Sequence, residues 1–121
     1  AVADYSPEQS VNTKIKKTDS KLSLPLIKTI DILKSIVSKS DAVKVGFALE
    51  TENGETNAIN KMKEKSLDYI ILNYANEEGA GFGSDTNHIY IYSKDGVKKE
   101  FKKDTKLRLS YKILEYIINY E

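Results

Sequence analysis

The stretch 42–75, AVKVGFALETENGETNAINKMKEKSLDYIILNYA, decides the fold. It opens and closes on the runs AVKVGFALE and LDYIILNYA, both mostly apolar, as strands covered on their two faces are. Between them, ETNAINKMKEKS sets Ala58, Ile59 and Met62 on one side at helical spacing and turns its lysines outward. A strand, a helix and a second buried strand in succession make the repeating unit of a parallel sheet. Such a sheet needs helices on its faces, which predicts an α/β sandwich with a mainly parallel, Rossmann-like sheet.

Downstream, EEGAGFGSDTN (77–87) is too rich in glycine to be anything but a loop. HIYIYSKDGVKKEF (88–101) reads as a hairpin, because Asp95–Gly96 between two alternating runs suits a tight turn with positive φ. Asp104 or Thr105 then caps a last helix with Leu107, Leu114, Ile117 and Ile118 as its inward face. Upstream, Thr29 is a good N-cap, and Ile30, Leu33, Ile36 and Val37 follow on one helical face. KLSLPLIKT (21–29) alternates Leu22, Leu24 and Leu26, a short extended segment that Pro25 pushes toward an edge. Residues 5–23 are polar without clean periodicity and contain Pro7, which predicts a mobile loop. Ala1–Asp4 reads as the end of a strand, as if cut from a longer cytoplasmic chain.

The totals bound the function. A chain of 121 residues supplies one core. A net charge of +1 argues against a dedicated duplex nucleic-acid binder or a polybasic membrane binder. No run is long enough to span a bilayer as a helix, and no signal peptide is expected. There is no cysteine and one histidine, His88, so thiolate chemistry is absent and a histidine metal site or triad is not expected. His88 itself is expected to be structural. Tyr90, Tyr92, Tyr111, Tyr116 and Tyr120 read as sheet and helix packing rather than as base-stacking platforms.

In an open parallel sheet ligands bind beyond the carboxyl ends of the strands. Here those ends are Asp4, the segment 47–52 and the loop 73–85, joined by free N–H groups of the helix starting near Thr29. Lys61 and Lys65 stand four apart, share a helix face and suit a polyphosphate, though two such lysines are also ordinary solvated surface. Asp4 suits a divalent cation bridging phosphates, and equally a turn or cap. GAGFG is no P-loop, since it lacks the following Lys-Ser/Thr and leads into a strand. The pattern alone points to a nucleotide-sized ligand.

AVADY, KIKK, IKTIDIL, VGFALETEN, KMKEKSLDYIILN, GFGSDTN and the hairpin–helix ending, taken in order, resemble the C-terminal part of bacterial phosphopantothenate–cysteine ligase (phosphopantothenoylcysteine synthetase). The likeness covers essentially the whole chain, with no strong single motif but seven in register. It implies a three-layer α/β/α sandwich whose mixed sheet is mainly parallel with one antiparallel strand, in a homodimer. It implies joining of 4′-phosphopantothenate to L-cysteine in coenzyme A synthesis, with CTP and Mg²⁺ and an acyl-cytidylate on the way.

The resemblance also assigns residues. Asp4 matches the aspartate of AVAD, near nucleotide and metal. Lys14 matches the first lysine of KIKK, on a mobile loop over residues 5–23, needed for turnover of the acyl-cytidylate. Ile30, Asp31, Ile32 and Leu33 match PDIL, a backbone segment against the cytosine. Phe47 matches the phenylalanine of GFAAET at the nucleotide, and Lys61 and Lys65 match the two phosphate-site lysines. Ile30 departs from the family's proline and Tyr74 from the aspartate of ANDV. The glycine-rich segment, asparagine and arginine that handle phosphopantothenate lie upstream in the family, so the chain alone is expected to be inactive, to expose a sheet edge and to self-associate. An ATP-using ligase of the same family and a non-catalytic α/β binding module are the alternatives.

Overall fold

The computed structural model describes residues 3–10, 12–14, 22–80 and 83–119. Its main sheet has four strands in the order β3 (Val45–Glu50), β4 (Tyr69–Tyr74), β5 (Thr86–Ser93) and β6 (Lys98–Thr105). β3 and β4 run parallel with Phe47 opposite Ile71, while β5 pairs antiparallel with both β4 and β6. Three strands therefore share one direction and β5 opposes them, a mixed sheet as expected. A second, two-stranded ladder joins β1 (Tyr5–Pro7) to β2 (Leu26–Lys28).

β4 explains why its sequence is apolar at every step. Ile70 and Leu72 face α2 (Gly54–Glu64), packing with Ala48, Ala58, Met62, Leu67 and Tyr92. Tyr69 and Ile71 face α3 (Lys106–Asn119), packing with Ile89, Ile91, Leu109 and Ile117. Alternate residues serve opposite cores, and helices on both faces make the three layers. Ile70, Ile71 and Leu72 are fully buried, and each such side chain contributes about 1.5–3 kcal/mol relative to exposure. Among the described residues no other three in succession are all fully buried, so β4 is the spine of the domain.

Two backbone features shape the ends. Gly96 takes φ 85° in the β5–β6 turn, as the Asp-Gly pair predicts. Asn53, at φ 52°, starts α2 from a left-handed residue without a side-chain cap bond. Gly54 follows because a Cβ there would lie 2.6 Å from the ring of Tyr74.

Several expectations need correction. Tyr5–Pro7 is a strand paired with β2, so part of the segment read as a loop is ordered. Ala3 and Asp4 lie outside any strand, and Ala1 and Val2 lie outside the described residues. The first helix starts later than Thr29: α1 spans only Ile32–Ile36, capped by Asp31, and passes into a 3-10 turn over Val37–Lys39. Leu33 and Val37 reach the core, whereas Ile30 and Ile36 stay exposed. On α3 the inward face is Leu109, Ile113, Tyr116 and Ile117, while Leu107, Tyr111, Leu114 and Ile118 are exposed. Both sets recur at helical spacing, so periodicity alone could not choose between them. The helix begins where the hairpin arm ends: Thr105 accepts the Arg108 N–H, and that geometry sets the rotation.

Candidate functional site

A cleft of about 540 Å³ is lined by Asp4, Tyr5, Lys28, Thr29, Ile30, Asp31, Ile32, Leu33 and Lys65. The β1–β2 ladder assembles half of it. Tyr5 pairs with Lys28, the Thr29 N–H donates to the Asp4 carbonyl at 3.0 Å, and the Thr29 hydroxyl donates to the Ala3 carbonyl. Thr29 thus does not cap a helix; it ties Asp4 to the far side of the cleft.

Asp31 organises the other half. One carboxylate oxygen accepts the Lys34 N–H at 3.0 Å and caps α1. Its second oxygen lies 2.7 Å from the Lys65 ammonium at the C-terminal end of α2. The Lys65 ammonium, followed by the Lys34 N–H, holds the Asp31 carboxyl below the usual carboxylate range. The turn 30–33 and the end of α2 are therefore joined through one side chain. Ser35 N–H donates to the Asp31 carbonyl, which leaves the Ile32 and Leu33 N–H groups as those the helix cannot satisfy internally.

Of the residues singled out by sequence, Asp4, Ile30, Asp31, Ile32, Leu33 and Lys65 converge on this cleft. Lys61 and Phe47 meet beside it, the Lys61 ammonium donating to the Phe47 carbonyl at 3.1 Å. The Phe47 ring is 63% exposed on the side of the sheet away from α2. Lys14 is exposed and is not among the described lining residues, and Ile15–Lys17 of KIKK lie outside the described residues. Of the expected ligand edge, Asp4 and the segment from Thr29 line the cleft, while nothing from 47–52 or 73–85 is among its described lining residues. Lys28 and Tyr5 were missed; only the pairing of the two short strands places them there.

A second polar cluster lies at the carboxyl end of β4. His88 Nδ1 is 2.7 Å from Glu77 and Nε2 is 2.9 Å from Glu100. Burial opposes the charge on His88, but the two carboxylates outweigh it and raise the imidazole above its ordinary value. Nearby, Lys98 bridges to Glu55 at 2.7 Å and lies 5.3 Å from the centres of the Tyr90 and Tyr92 rings. Glu55 and then Tyr92 hold that ammonium well above the ordinary lysine range.

No group of three potential protein metal ligands occurs among the described residues. Asp4 offers a single carboxylate at the cleft. That donor set fits a Mg²⁺ ion completed by phosphate oxygens and water better than it fits an all-protein cage. No helix among the described residues is long and apolar enough to cross a membrane.

Comparison with known proteins places these features in a family. Residues 1–120 match the family described as DNA/pantothenate metabolism flavoprotein, C-terminal domain. The chain is 43% identical over 118 residues to the coenzyme A biosynthesis bifunctional protein CoaBC of Bacillus subtilis strain 168, covering 97% of this chain and 29% of that one. It is 38% identical to a cysteine/cysteine sulfinic acid decarboxylase of an unknown prokaryotic organism, covering 98% of this chain and 33% of the other. Among solved structures, the C-terminal domain of a coenzyme A biosynthesis bifunctional protein CoaBC superposes with a TM-score of 0.72 at 31% identity. That superposition covers 97% of this chain and 49% of the solved one. The chain thus spans about a third or less of the curated relatives and about half of the solved domain.

Proposed function

This chain belongs to the DNA/pantothenate metabolism flavoprotein C-terminal domain family, and from that premise we propose that it is the nucleotide-holding part of a ligase of coenzyme A biosynthesis. The ligase joins 4′-phosphopantothenate to L-cysteine and uses CTP. The carboxylate attacks the α-phosphorus, pyrophosphate leaves, and the cysteine amine then displaces CMP from the acyl-cytidylate with loss of a proton. The observation that carries this reading is the convergence of Asp4, Ile30–Leu33 and Lys65 on one cleft of nucleotide size.

Each residue then has a task. The Ile32 and Leu33 backbone faces the cytosine, where fixed N–H and C=O groups distinguish its edge from adenine. Lys65, with Lys61 beside it, takes the triphosphate through charge-assisted bonds. Asp4 would hold a Mg²⁺ shared with phosphate oxygens, and the ion's chemistry is neutralisation of charge on the triphosphate. Lys14 supplies a cation to the departing phosphodiester when the amine attacks. The remainder of the ligase site comes from the part of the solved domain that this chain does not span. The reading includes a homodimer, and the exposed Leu26 and Ile27 of the β1–β2 ladder are apolar surface that assembly would cover.

Calorimetric titration of the chain with CTP, ATP and cytidine tests the proposal. CTP should bind more tightly than ATP, because a mispaired base edge leaves buried polar groups unsatisfied at roughly 1–3 kcal/mol. An equal or reversed ranking overturns the cytidine assignment, and no binding of either overturns the nucleotide site.

A further inference from the structure

Lys65 does not wait for a ligand with an unpaired charge. Its ammonium is 2.7 Å from Asp31, whose other oxygen caps α1 through the Lys34 N–H. An anionic group beside a polyphosphate site repels the ligand, yet this one lies within the cleft's own lining and contacts its principal cation. The rest of the turn gives the carboxylate no other cationic partner at contact distance: Lys34 reaches it through the backbone N–H. One side chain therefore performs two separable tasks, a neutral one (the cap) and a charged one (the ion pair).

We propose that Asp31 is the internal counter-ion of the phosphate lysine, exchanged for ligand phosphate when the polyphosphate binds. This inference rests on the proposed phosphate role of Lys65 but not on the identity of the base. Asp31 holds Lys65 toward the turn 30–33 and keeps that turn joined to α2. On binding, a phosphate oxygen replaces the carboxylate at the ammonium, while the Asp31–Lys34 cap bond stays in place. The turn that meets the base is thus released from α2 only by a ligand carrying negative charge. Nucleosides without phosphate leave the pair intact. Asp31 is a positioning residue: it acts on the ligand through Lys65, and its removal strengthens rather than weakens phosphate binding.

Asp31→Asn separates the two tasks, since asparagine caps a helix as well as aspartate does but carries no charge. Inorganic tripolyphosphate, CTP and cytidine are titrated into the parent chain, Asp31→Asn, Lys65→Ala and the double variant, with circular dichroism confirming the fold of each. Asp31→Asn should bind tripolyphosphate and CTP about two- to five-fold more tightly, the range an exposed ion pair can supply, with cytidine unchanged. The gain should fall as salt is added and vanish in the Lys65→Ala background. A merely structural role would move all three ligands together and would not depend on Lys65. Unchanged or weakened tripolyphosphate binding in Asp31→Asn, a gain that survives Lys65→Ala, or no saturable binding to any variant overturns the exchange. A gain for tripolyphosphate with CTP no tighter than tripolyphosphate upholds the exchange and instead sinks the cytidine reading.

Discussion

The imidazole of His88 lies 2.7 Å from the Glu77 carboxylate through Nδ1, with Glu100 at 2.9 Å from its other nitrogen. Ionised carboxylates only accept, so this geometry favours a ring protonated on both nitrogens. Its pKa is raised in the fold: burial works against the charge, and the bonds to Glu77 and Glu100 outweigh it. A raised folded value contributes stability in full below the unfolded value of about 6.5 and loses it as pH climbs through the folded one. Denaturant unfolding at about pH 6 and about pH 9 should differ by roughly 1 kcal/mol from this site, less than a buried charged bond because Glu100 is half exposed. His88→Gln should be less stable at the lower pH and flat between the two. A variant as pH-dependent as the parent would place the titration elsewhere.

Gly54 and Tyr74 make a second pair whose coupling has a definite sign. A Cβ on Gly54 would meet the Tyr74 ring at 2.6 Å, and that ring is already set edge-on against Tyr90. Helix propensity favours alanine over glycine by up to about 1 kcal/mol, whereas overpacking costs about 1–3 kcal/mol. Gly54→Ala should therefore destabilise the parent by about 1 kcal/mol and stabilise the Tyr74→Ala variant. Urea unfolding of the four members of the cycle reads this directly; the same sign in both backgrounds would mean the ring moves aside freely.

The two apolar faces of α3 should respond unequally. Leu109 is buried and Leu114 is 57% exposed. Leu109→Ala should cost about 2–5 kcal/mol, and Leu114→Lys should stay within about 0.5 kcal/mol. Comparable losses at both positions would mean that the outer face is covered in solution.

What could be read from sequence follows the range of the forces involved. β3, α2, β4 and the β5–β6 hairpin were legible because their signals are local: apolar runs, a period of 3.6 and an Asp-Gly turn. The rotation of α3 was not, because its two apolar faces are equivalent until the sheet is present. The β1–β2 ladder was not either, since Tyr5 and Lys28 are brought together by a pairing across a long segment with no periodic pattern. The cleft shares that fate. Asp4 and Lys65 were picked out by position and spacing and Ile30–Leu33 by resemblance, but the bond from Thr29 to Asp4 and the ion pair from Asp31 to Lys65 are long-range events. Tyr74 packs closely over Gly54, a contact that no motif displays.

The two phosphate-site lysines should not be equal. Lys65 lines the cleft, while Lys61 is beside it with its ammonium on the Phe47 carbonyl. Both should matter more for CTP than for cytidine, because only the triphosphate loses a charge-assisted partner. Lys65→Ala should weaken CTP about ten-fold or more, the value of one such bond at roughly 1.5–3 kcal/mol, and leave cytidine within two-fold, about 0.4 kcal/mol. Lys61→Ala should cost less, since Lys61 is not among the described residues lining the cleft. Both losses should shrink as salt rises, as for any partly exposed pair. Competition titrations with CTP and cytidine across a salt series resolve the order. Equal losses for nucleotide and nucleoside would assign Lys61 to holding α2 against β3 and Lys65 to holding it against the turn 30–33, rather than to the triphosphate.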